Sequence, residues 1–392
     1  GRGVDGGPAP PARRTHAAAR PRAAHPRPLH GPAPPTTNWG QGRSNGEREA
    51  AEYVEAELAA IGVDSTLIDS EPGRTSVLAR IPGANPERPA LVVHGHLDVV
   101  PADPANWSVD PFGGEIRDGM LWGRGAVDMK DMDAMILTSL GDILRSGRQP
   151  DRDLVVAFFA DEENGGEYGS QFIVRNHPEF FRGATEAISE VGGYSVDLAG
   201  QRAYLLQTGE KALVWIKLIA RGVAAHGSRY IQDNAVTKLA EAVVRIGRHE
   251  WPVSYGATTS AMLSAIRRIL DAEPDLDPVA LIERTGTAAG FLRSTLRTTS
   301  NPTLLQAGYK HNVIPDYAEA LVDVRPFAGE EEAALATLRE LAGPDVRVEI
   351  VHQDIGLETP FSGPLVDTMV AALEAHDQDA TVMPYLLSGG TD

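Results

Sequence analysis

Short strand-like segments alternate with helical segments along most of the chain, and this alternation restricts the fold more than any other feature of the sequence. Apolar stretches typical of strands occur at Ser76–Ile81, Ala90–Val93 and Leu154–Phe159. Helical periodicity, with apolar side chains repeating every three or four residues, occurs at Met129–Leu144 and Gln171–Asn176. A chain in which strands and helices alternate predicts an α/β fold, with a mixed sheet flanked by helices.

The first helix is predicted between Ser44 and Gly62. Ser44 and Glu47 have the spacing of a capping box, in which each side chain bonds to the backbone N–H of the other residue. Val54 and Leu58 belong to an apolar face that follows. Gly62 is typical of a helix end, so the sequence predicts an amphipathic helix here.

A second series of strands and helices begins near Gly209. Its predicted elements are strands at Ala212–Arg221, Ala318–Val324 and Val346–Val351 and helices at Asn234–Gly247 and Glu330–Leu341, with a longer irregular insert among them. We interpret residues 209–352 as an inserted α+β domain between two parts of a first domain, residues 36–208 and 353–392. A helix predicted at Pro364–Ala375 returns the chain to that first domain. The 392 residues, 42% of them apolar, are enough for two cores.

Composition excludes several classes of protein and site. Residues 1–35 contain six Arg and nine of the 28 Pro without apolar periodicity, which predicts a disordered tail. The net charge of -18 disfavours a nucleic-acid partner, because Lys and Arg supply most phosphate contacts. No apolar run of about 18 residues and no signal sequence is found, so we expect no membrane partner and a cytoplasmic location. Cysteine is absent, so a metal site would have to use His, Asp and Glu.

His96 and Asp98 come at the end of an apolar strand, in the segment Leu91–Asp98. Side chains two residues apart in a strand share a face, so His94, His96 and Asp98 are predicted to point the same way. A His at a strand end can bind a metal ion while a nearby carboxylate orients its ring. The alternative is a histidine that is simply hydrogen-bonded, which is the commoner role of a single His.

Asp128 lies in the glycine-containing segment Gly123–Asp131, directly before a predicted helix. A carboxylate in this place can bridge two cations with its two oxygens. The alternative is an N-cap aspartate, which is the commoner role of Asp at the start of a helix.

Asp161, Glu162 and Glu163 end the apolar strand Leu154–Phe159 abruptly. Most Glu pairs are solvated, but those pairs lie on polar helices rather than at the end of a buried strand. In an extended chain the two Glu side chains point in different directions. One can then bind a metal ion while the other acts as a base toward water. Glu190 follows another short apolar run and is a candidate for a terminal metal ligand.

The order and spacing of these segments resemble the M20 metallopeptidase family, which includes glutamate carboxypeptidase, aminoacylase, carnosinase and succinyl-diaminopimelate desuccinylase. The resemblance covers most of the chain from Thr36 onwards and implies a zinc-peptidase-like catalytic domain with an inserted lid and dimerisation domain. It also implies two zinc ions, with cobalt or manganese as alternatives. The ligands that it implies are His96 and Glu190 on one ion, Glu163 on the other, and Asp128 bridging both.

The same resemblance implies that Asp98 supports His96 and that Glu162 is the general acid and base. The expected activity is hydrolysis of an amide bond next to a free carboxylate, in a peptide or an N-acyl amino acid. Water is the expected nucleophile. The alternative is a noncatalytic or impaired remnant of such an enzyme that retains only dimerisation or ligand binding.

The inserted segment resembles the lid of the family, including Arg221–Ser228. This implies a homodimer in which His226 reaches the active site of the partner subunit and stabilises the oxyanion. The residues that match substrate-contacting positions of the family are Asn312, Arg325, Gly389 and Gly390. For Arg325, a bond to a substrate carboxylate and an ordinary surface ion pair are equal alternatives.

The last residues, Ser388-Gly-Gly-Thr-Asp392, resemble a glycine turn after which the family continues to a final His ligand. No histidine follows His376 in this sequence. We therefore expect a truncated or mis-framed form of an M20 enzyme, in which the second part of the catalytic domain is incomplete. For the chain as given, we expect weak binding of the second metal ion and greatly reduced turnover.

Overall fold

The computed structural model describes residues 35–40 and 42–392. The tail predicted to be disordered, residues 1–35, lies outside the described residues except for Pro35. Among the helices of the described ranges, none has both the length and the apolar character that a membrane span requires.

The strands and helices cover most of the described chain. The strands are β1 (Asn38–Gly40), β2 (Arg43–Ser44), β3 (Ser65–Glu71), β4 (Arg74–Ile81), β5 (Ala90–His96), β6 (Glu115–Arg117), β7 (Met120–Trp122), β8 (Leu154–Phe159), β9 (Ala184–Ile188), β10 (Ser195–Leu198), β11 (Gln201–Glu210), β12 (Leu213–Arg221), β13 (Ala225–His226), β14 (Thr299–Ala307), β15 (Val313–Ile314), β16 (Tyr317–Arg325), β17 (Val346–Asp354), β18 (Leu357–Glu358) and β19 (Thr381–Leu387). The helices are α1 (Arg48–Ala60), α2 (Lys130–Arg145), α3 (Ser170–Asn176), α4 (Ala235–Gly247), α5 (Ala257–Ile269), α6 (Pro278–Glu283), α7 (Ala289–Leu292), α8 (Glu331–Ala342) and α9 (Pro364–His376).

The first of two compact units comprises the described residues of Gly1–Glu87 together with His96–Phe180. Its strands β3, β4 and β8 pair in antiparallel fashion, with Val77 of β4 opposite Phe158 of β8. Helix α1 packs on β3 and β4 through its apolar face. Strand β8 is buried along nearly its whole length, which accounts for its continuous apolar sequence.

The start of α1 differs from the prediction. Glu47 is the N-cap residue of this helix, but its side chain makes no capping bond. Ser44 Oγ instead accepts a hydrogen bond from the backbone N–H of Gly46, so the capping box is wrong. The Glu47 carboxyl group turns inward and lies 3.3 Å from Nε of Arg74 on β4. An ionic partner across the unit therefore replaces the local backbone partner that the spacing suggested.

The second unit comprises Arg88–Gly95 together with Phe181–Asp392. One of its sheets has the antiparallel order β14, β16, β12, β17. Helices α4 and α8 pack on this sheet and its apolar side chains form one core. Burial alternates strictly along β16, as expected for a sheet with one covered face.

A second sheet in this unit has the order β10, β11, β18, and β19 pairs with β11 in parallel. Parallel and antiparallel pairs in one sheet, together with the packed helices, confirm the mixed α/β fold. Helices α5, α6 and α7 share a core with β11 and β19. These helices occupy the segment predicted as an irregular insert, which is a correction of that prediction. Helix α5 begins after Gly256 without a capping side chain, so the usual signal of a helix start is missing there. The domain boundaries at 208/209 and 352/353 stay a prediction, because both sheets belong to one compact unit.

Candidate metal centre

His96 ends strand β5, and Glu190 follows strand β9. The two strands pair in parallel, with Ala90 opposite Ala184 and Val93 opposite Ile188. The carboxyl ends of parallel strands meet at the same edge of a sheet, which is where side chains of an α/β protein gather for binding or chemistry. This pairing therefore brings the ends of both strands to one edge.

The His96 ring is 1% exposed, and each of its nitrogens has a defined neighbour. Nδ1 lies 3.1 Å from the backbone carbonyl oxygen of Asp98, which can only accept a hydrogen bond. Nδ1 therefore carries a proton, and Nε2 is the nitrogen available to a metal ion. Nε2 lies 3.1 Å from Oδ1 of Asp128 and 3.6 Å from Oε2 of Glu162. At these distances a proton or a cation must lie between the nitrogen and the carboxylates.

Asp128 lies just before α2, and its side chain is 64% exposed. The N-cap residue of α2 is Met129, so the N-cap alternative for Asp128 is wrong. The peptide bond between Asp128 and Met129 is cis. The hydrogen bond with His96 lowers the pKa of Asp128 below its usual range and keeps the carboxylate charged.

Asp98 is completely buried and accepts hydrogen bonds from the backbone of Glu162, the predicted acid and base, and of Glu163, a predicted metal ligand. Its Oδ1 accepts a hydrogen bond from the backbone N–H of Glu162 at 3.1 Å, and its Oδ2 accepts one from that of Glu163 at 3.3 Å. Burial by itself would raise the pKa of Asp98, but hydrogen bonds with His96 and Asn38 outweigh it and lower the pKa. Asp98 is therefore an anion that accepts hydrogen bonds from the turn carrying Glu162 and Glu163, and its predicted support of His96 stays a prediction.

The two glutamates diverge for a different reason from the one predicted. They lie in a 3-10 turn, Glu162–Asn164, rather than in extended chain. Asp161 begins this turn with a positive φ of 68°, in the left-handed region that Asp tolerates better than most residues. Glu162 consequently faces His96, whereas Oε1 of Glu163 accepts a hydrogen bond from the backbone N–H of Val100 at 3.1 Å. Burial, with the nearby charge of Asp128 adding to it, raises the pKa of Glu163 to about 7.

Three of the predicted metal ligands form a group suited to a metal ion. One ligand atom from each of His96, Asp128 and Glu190 lies within 4.8 Å of the other two. One imidazole nitrogen and two carboxylates are a donor set that zinc and similar divalent ions accept. Glu163 is not a member of this group, and its predicted role on a second ion stays a prediction.

The predicted lid residues His226 and Asn312 lie side by side. Strand β13 pairs with β15, and the backbone N–H of Gly227 donates to the carbonyl oxygen of Asn312 at 2.9 Å. The His226 ring is exposed, with Nδ1 2.8 Å from Oγ of Ser228. Oδ1 of Asn312 is buried and has no hydrogen-bond partner among the described residues. The pairing of two short strands therefore brings the backbones of the segments that carry His226 and Asn312 together.

Arg325 forms the ion pair that was one of the two alternatives for it. Its Nε and Nη2 donate to the two carboxylate oxygens of Asp323 at 2.7 and 3.0 Å. A side chain at Gly390 would begin 3.9 Å from Nη1 of Arg325, so the glycine turn after β19 lies against this guanidinium. Gly389 belongs to the same turn. Three of the predicted substrate-contacting residues are thus neighbours.

The chain belongs to a known family of peptidases. The sequence profile of Peptidase family M20/M25/M40 matches residues 92–392, which is more than half of the chain. This chain is a member of that family. The membership confirms the resemblance stated from the sequence, and the α/β architecture agrees with it.

Two characterised relatives illustrate the family. The chain is 28% identical over 331 residues to N-fatty-acyl-amino acid synthase/hydrolase of Xenopus tropicalis, covering 81% of this chain and 64% of the relative. It is 26% identical over 312 residues to aminoacylase-1 of Sus scrofa, covering 78% of this chain and 67% of the relative. This M20 chain therefore spans less than two thirds of the length of the first of these relatives.

Solved M20 structures have the same fold. An M20 family metallo-carboxypeptidase from Sulfolobus solfataricus has a TM-score of 0.67 at 20% identity, covering 88% of this chain and 82% of that one. A di-peptidase from Saccharomyces cerevisiae has a TM-score of 0.64 at 17% identity, covering 87% and 79%.

Sequence reasoning missed two polar residues near the candidate centre. Asn38 donates hydrogen bonds to Asp98 and Asp161. Glu210 ends β11 and accepts a hydrogen bond from the Thr391 hydroxyl at 2.9 Å. Burial, with the charge of Glu190 adding to it, raises the pKa of Glu210. Asn38 lies in a segment that resembles the family, but no spacing rule connects it with acids 60 or more residues away.

Proposed function

We propose that this chain is a metal-dependent hydrolase that cleaves an amide bond next to a free carboxylate, in a peptide or an N-acyl amino acid. The observation that carries the proposal is that two carboxylate oxygens, Asp128 Oδ1 and Glu162 Oε2, both lie within 3.6 Å of His96 Nε2. Membership of the M20 family supports it. The names of the relatives, aminoacylase and N-fatty-acyl-amino acid synthase/hydrolase, favour an N-acyl amino acid as one substrate class.

The donor set fits a divalent metal ion, and zinc is the ion that we propose. His96, Asp128 and Glu190 would hold one ion. Glu163 would bind a second one, with Asp128 shared between the two. A divalent ion at this place supplies Lewis acidity, which makes water more acidic and polarises the substrate carbonyl group.

Glu162 is the residue that moves the proton. Its side chain is 14% exposed, so it is partly accessible to a bound substrate but mostly withdrawn from bulk water. Oε2 accepts a proton from the attacking water and returns it to the nitrogen of the leaving amine, so one carboxylate is base and acid in turn. Asp98 keeps Glu162 in place through its hydrogen bond to the Glu162 backbone N–H.

Substrate binding is assigned to the second unit. Arg325, beside the turn at Gly389 and Gly390, is proposed to bind the free carboxylate, and Asn312 to contact the substrate. A guanidinium can bind a carboxylate with two parallel hydrogen bonds, and Arg325 already makes such a pair with Asp323. A substrate carboxylate would compete with or extend that pair.

We further propose a cytoplasmic homodimer through the domain predicted at residues 209–352, in which His226 donates to the developing oxyanion in the partner subunit. The exposure of the His226 ring supports this role. Strand β14 is an edge strand of its sheet and exposes Leu304 and Leu305, as a strand in a subunit interface would.

The Glu162→Gln variant tests the catalytic proposal. We expect kcat to fall about 100-fold or more on the best substrate from a panel of dipeptides and N-acyl amino acids, because an amide cannot take the proton. Zinc content should stay unchanged, since Glu162 is not one of the proposed ligands. Glu167→Gln is the matched control, because Glu167 is exposed in the same loop; its kcat should equal that of the wild type.

Dialysis against a chelator should remove the activity, and zinc should restore it. Absence of bound zinc in the wild type, together with no hydrolysis on the panel, would favour the noncatalytic remnant. Wild-type turnover by Glu162→Gln would instead exclude Glu162 as the acid and base.

A further inference from the structure

A segment near the start of the described chain runs beside the loop that carries the candidate ligands of the first unit. We call residues 36–40 the N-terminal strap. The backbone N–H of Val99 donates to the carbonyl oxygen of Thr36 at 3.1 Å, and that of Asn38 donates to the carbonyl oxygen of Val99 at 2.9 Å. Thr36 and Thr37 are 1% and 2% exposed. The first three residues of the strap are therefore buried, and its backbone is hydrogen-bonded to Val99, which directly follows Asp98.

Every polar atom of the Asn38 side chain has a partner. Nδ2 donates to Oδ2 of Asp98 at 2.8 Å and to Oδ1 of Asp161 at 2.9 Å. Oδ1 accepts from the backbone N–H of Gly40 at 3.0 Å. A side-chain amide has two N–H groups, and here each serves a different carboxylate. The side chain is 4% exposed, so water is a poor substitute for either bond.

The two carboxylates that Asn38 joins belong to the two loops of the candidate centre. Asp98 follows His96 and accepts from the backbone N–H groups of Glu162 and Glu163. Asp161 begins the turn that carries these glutamates, and its Oδ2 accepts from the backbone N–H of Tyr168 at 3.0 Å. One amide group therefore links the loop of the metal ligand to the loop of the proton acceptor.

Without this amide the two carboxylates would have less compensation for their charges. Arg74 forms an ion pair with Asp161 and lies between that residue and Glu47. Asp98 is also buried, and among the described residues its side chain would keep its bonds with His96 and with the backbone N–H groups of the two glutamates. Two buried like charges without a shared donor repel each other. The repulsion between Asp98 and Asp161 would push the two loops that carry them apart.

We propose that Asn38 is a positioning residue that holds Asp98 and Asp161 together, so that His96 and Glu162 face one metal ion and one substrate. It touches neither the substrate nor a metal ligand side chain, and it acts through Asp98. This proposal rests on the proposed function, since it assumes that His96 binds a metal ion and that Glu162 moves a proton.

Asn38→Leu is the test, because leucine has the same branching at Cγ but no hydrogen-bond donor or acceptor in its side chain. We expect zinc affinity, measured by competition with a chromogenic chelator, to fall 10-fold to 100-fold, the usual cost of losing a group that supports a metal ligand. We expect kcat at saturating zinc to fall by a similar factor with KM changed less than about threefold. Asn45→Leu is the control from the same segment, because Asn45 is exposed; its zinc affinity and kcat should match the wild type.

The zinc measurement distinguishes the possible outcomes without relying on turnover. A variant with wild-type zinc affinity and kcat but a lower melting temperature would overturn the proposal, because Asn38 would then only stabilise the fold. If Asn38→Leu does not fold, Asn38→Ser takes its place, because serine retains one hydroxyl donor in a smaller side chain. We expect Asn38→Ser to lose less zinc affinity and less kcat than a variant without a donor. Wild-type zinc affinity and kcat in Asn38→Ser would overturn the proposal. A wild type that binds zinc without hydrolysing the panel contradicts the proposed activity alone. A wild type that binds no zinc contradicts both proposals.

Discussion

The Glu47→Gln variant changes a carboxyl group that is fully buried beside Arg74. Arg74 Nε lies 3.3 Å from Glu47 Oε2, but the same guanidinium also forms an ion pair with Asp161. If Glu47 were ionised, one cation would face two carboxylates, and Asp98 would add a third negative charge nearby. Burial, opposed by Arg74 and reinforced by the two aspartates, raises the pKa of Glu47 from 4.5 to about 8. The folded chain therefore keeps a proton on Glu47 near neutral pH.

The size of the effect follows from the two pKa values. Because the folded pKa is raised, the stabilisation from this proton is complete below about pH 4.5 and is lost as the pH rises through about 8. Each pH unit between these limits corresponds to about 1.4 kcal/mol. Through Glu47 alone, the free energy of unfolding should fall by about 4 kcal/mol between about pH 5 and about pH 8. Glutamine cannot titrate and should remove this decrease.

Urea denaturation of the wild-type and Glu47→Gln chains at several pH values measures the difference. We expect the variant to gain stability relative to the wild type at up to about 1.4 kcal/mol per pH unit over this range. Glu52→Gln is the control, since Glu52 is an exposed residue of the same helix, and its difference from the wild type should stay nearly constant. A variant that instead loses stability relative to the wild type as the pH rises would refute the reasoning. Glu47 would then be an ionised partner of Arg74 rather than a protonated acid.

Two further predictions concern the second unit. Lys211→Met should lower the free energy of unfolding by about 2 kcal/mol. The buried Lys211 ammonium donates to the carbonyl oxygens of Ser294 and Arg297, and these oxygens lose their partner in the variant. Urea denaturation measures the change, and Lys217→Met is the control because Lys217 is more exposed. Light scattering of the wild type should give twice the mass of one chain. Leu305→Asp places a charge on the exposed edge strand β14 and should convert the dimer to a monomer. A monomeric wild type would contradict the proposed interface.

The elements of the fold that the sequence predicted best have a regular apolar period and clear ends. Strand β8 was predicted with its observed bounds, and α2 within one residue at each end. Both elements bury a continuous or periodic apolar surface, so local pattern and tertiary packing agree. Helix α5 was not predicted and lay within the segment interpreted as an irregular insert. It lacks a capping side chain at its start, although several of its apolar side chains are buried. Its helical state depends on packing against β11 and β19, which no local pattern contains.

The residues of the candidate centre were predictable for a similar reason. His96 and Asp98 are separated by the period of a strand, and Glu162 follows the end of another strand. Such positions are candidates within a few residues of sequence, but their roles were predicted from the order and spacing of all the segments, which resemble the M20 family. The turn geometry of Glu162 and the contact of Glu47 with Arg74 could not be recognised in this way, because they depend on Asp98 and Arg74, which are distant along the chain. A local pattern identifies a reactive side chain but not the groups that hold it.

The match to the M20 family sharpens this distinction. It begins at residue 92 and includes all four proposed metal ligands and Glu162. Asn38, Glu47 and Arg74 lie before that point, yet they contact or compensate the acids on which the ligands depend. The candidate ligands and the residues that support them therefore lie in different parts of the sequence, and buried hydrogen bonds spanning 60 or more residues join them. Changes in the N-terminal strap should then alter metal affinity and turnover without altering a single ligand, and substrate preference should depend instead on the unit that contains Arg325.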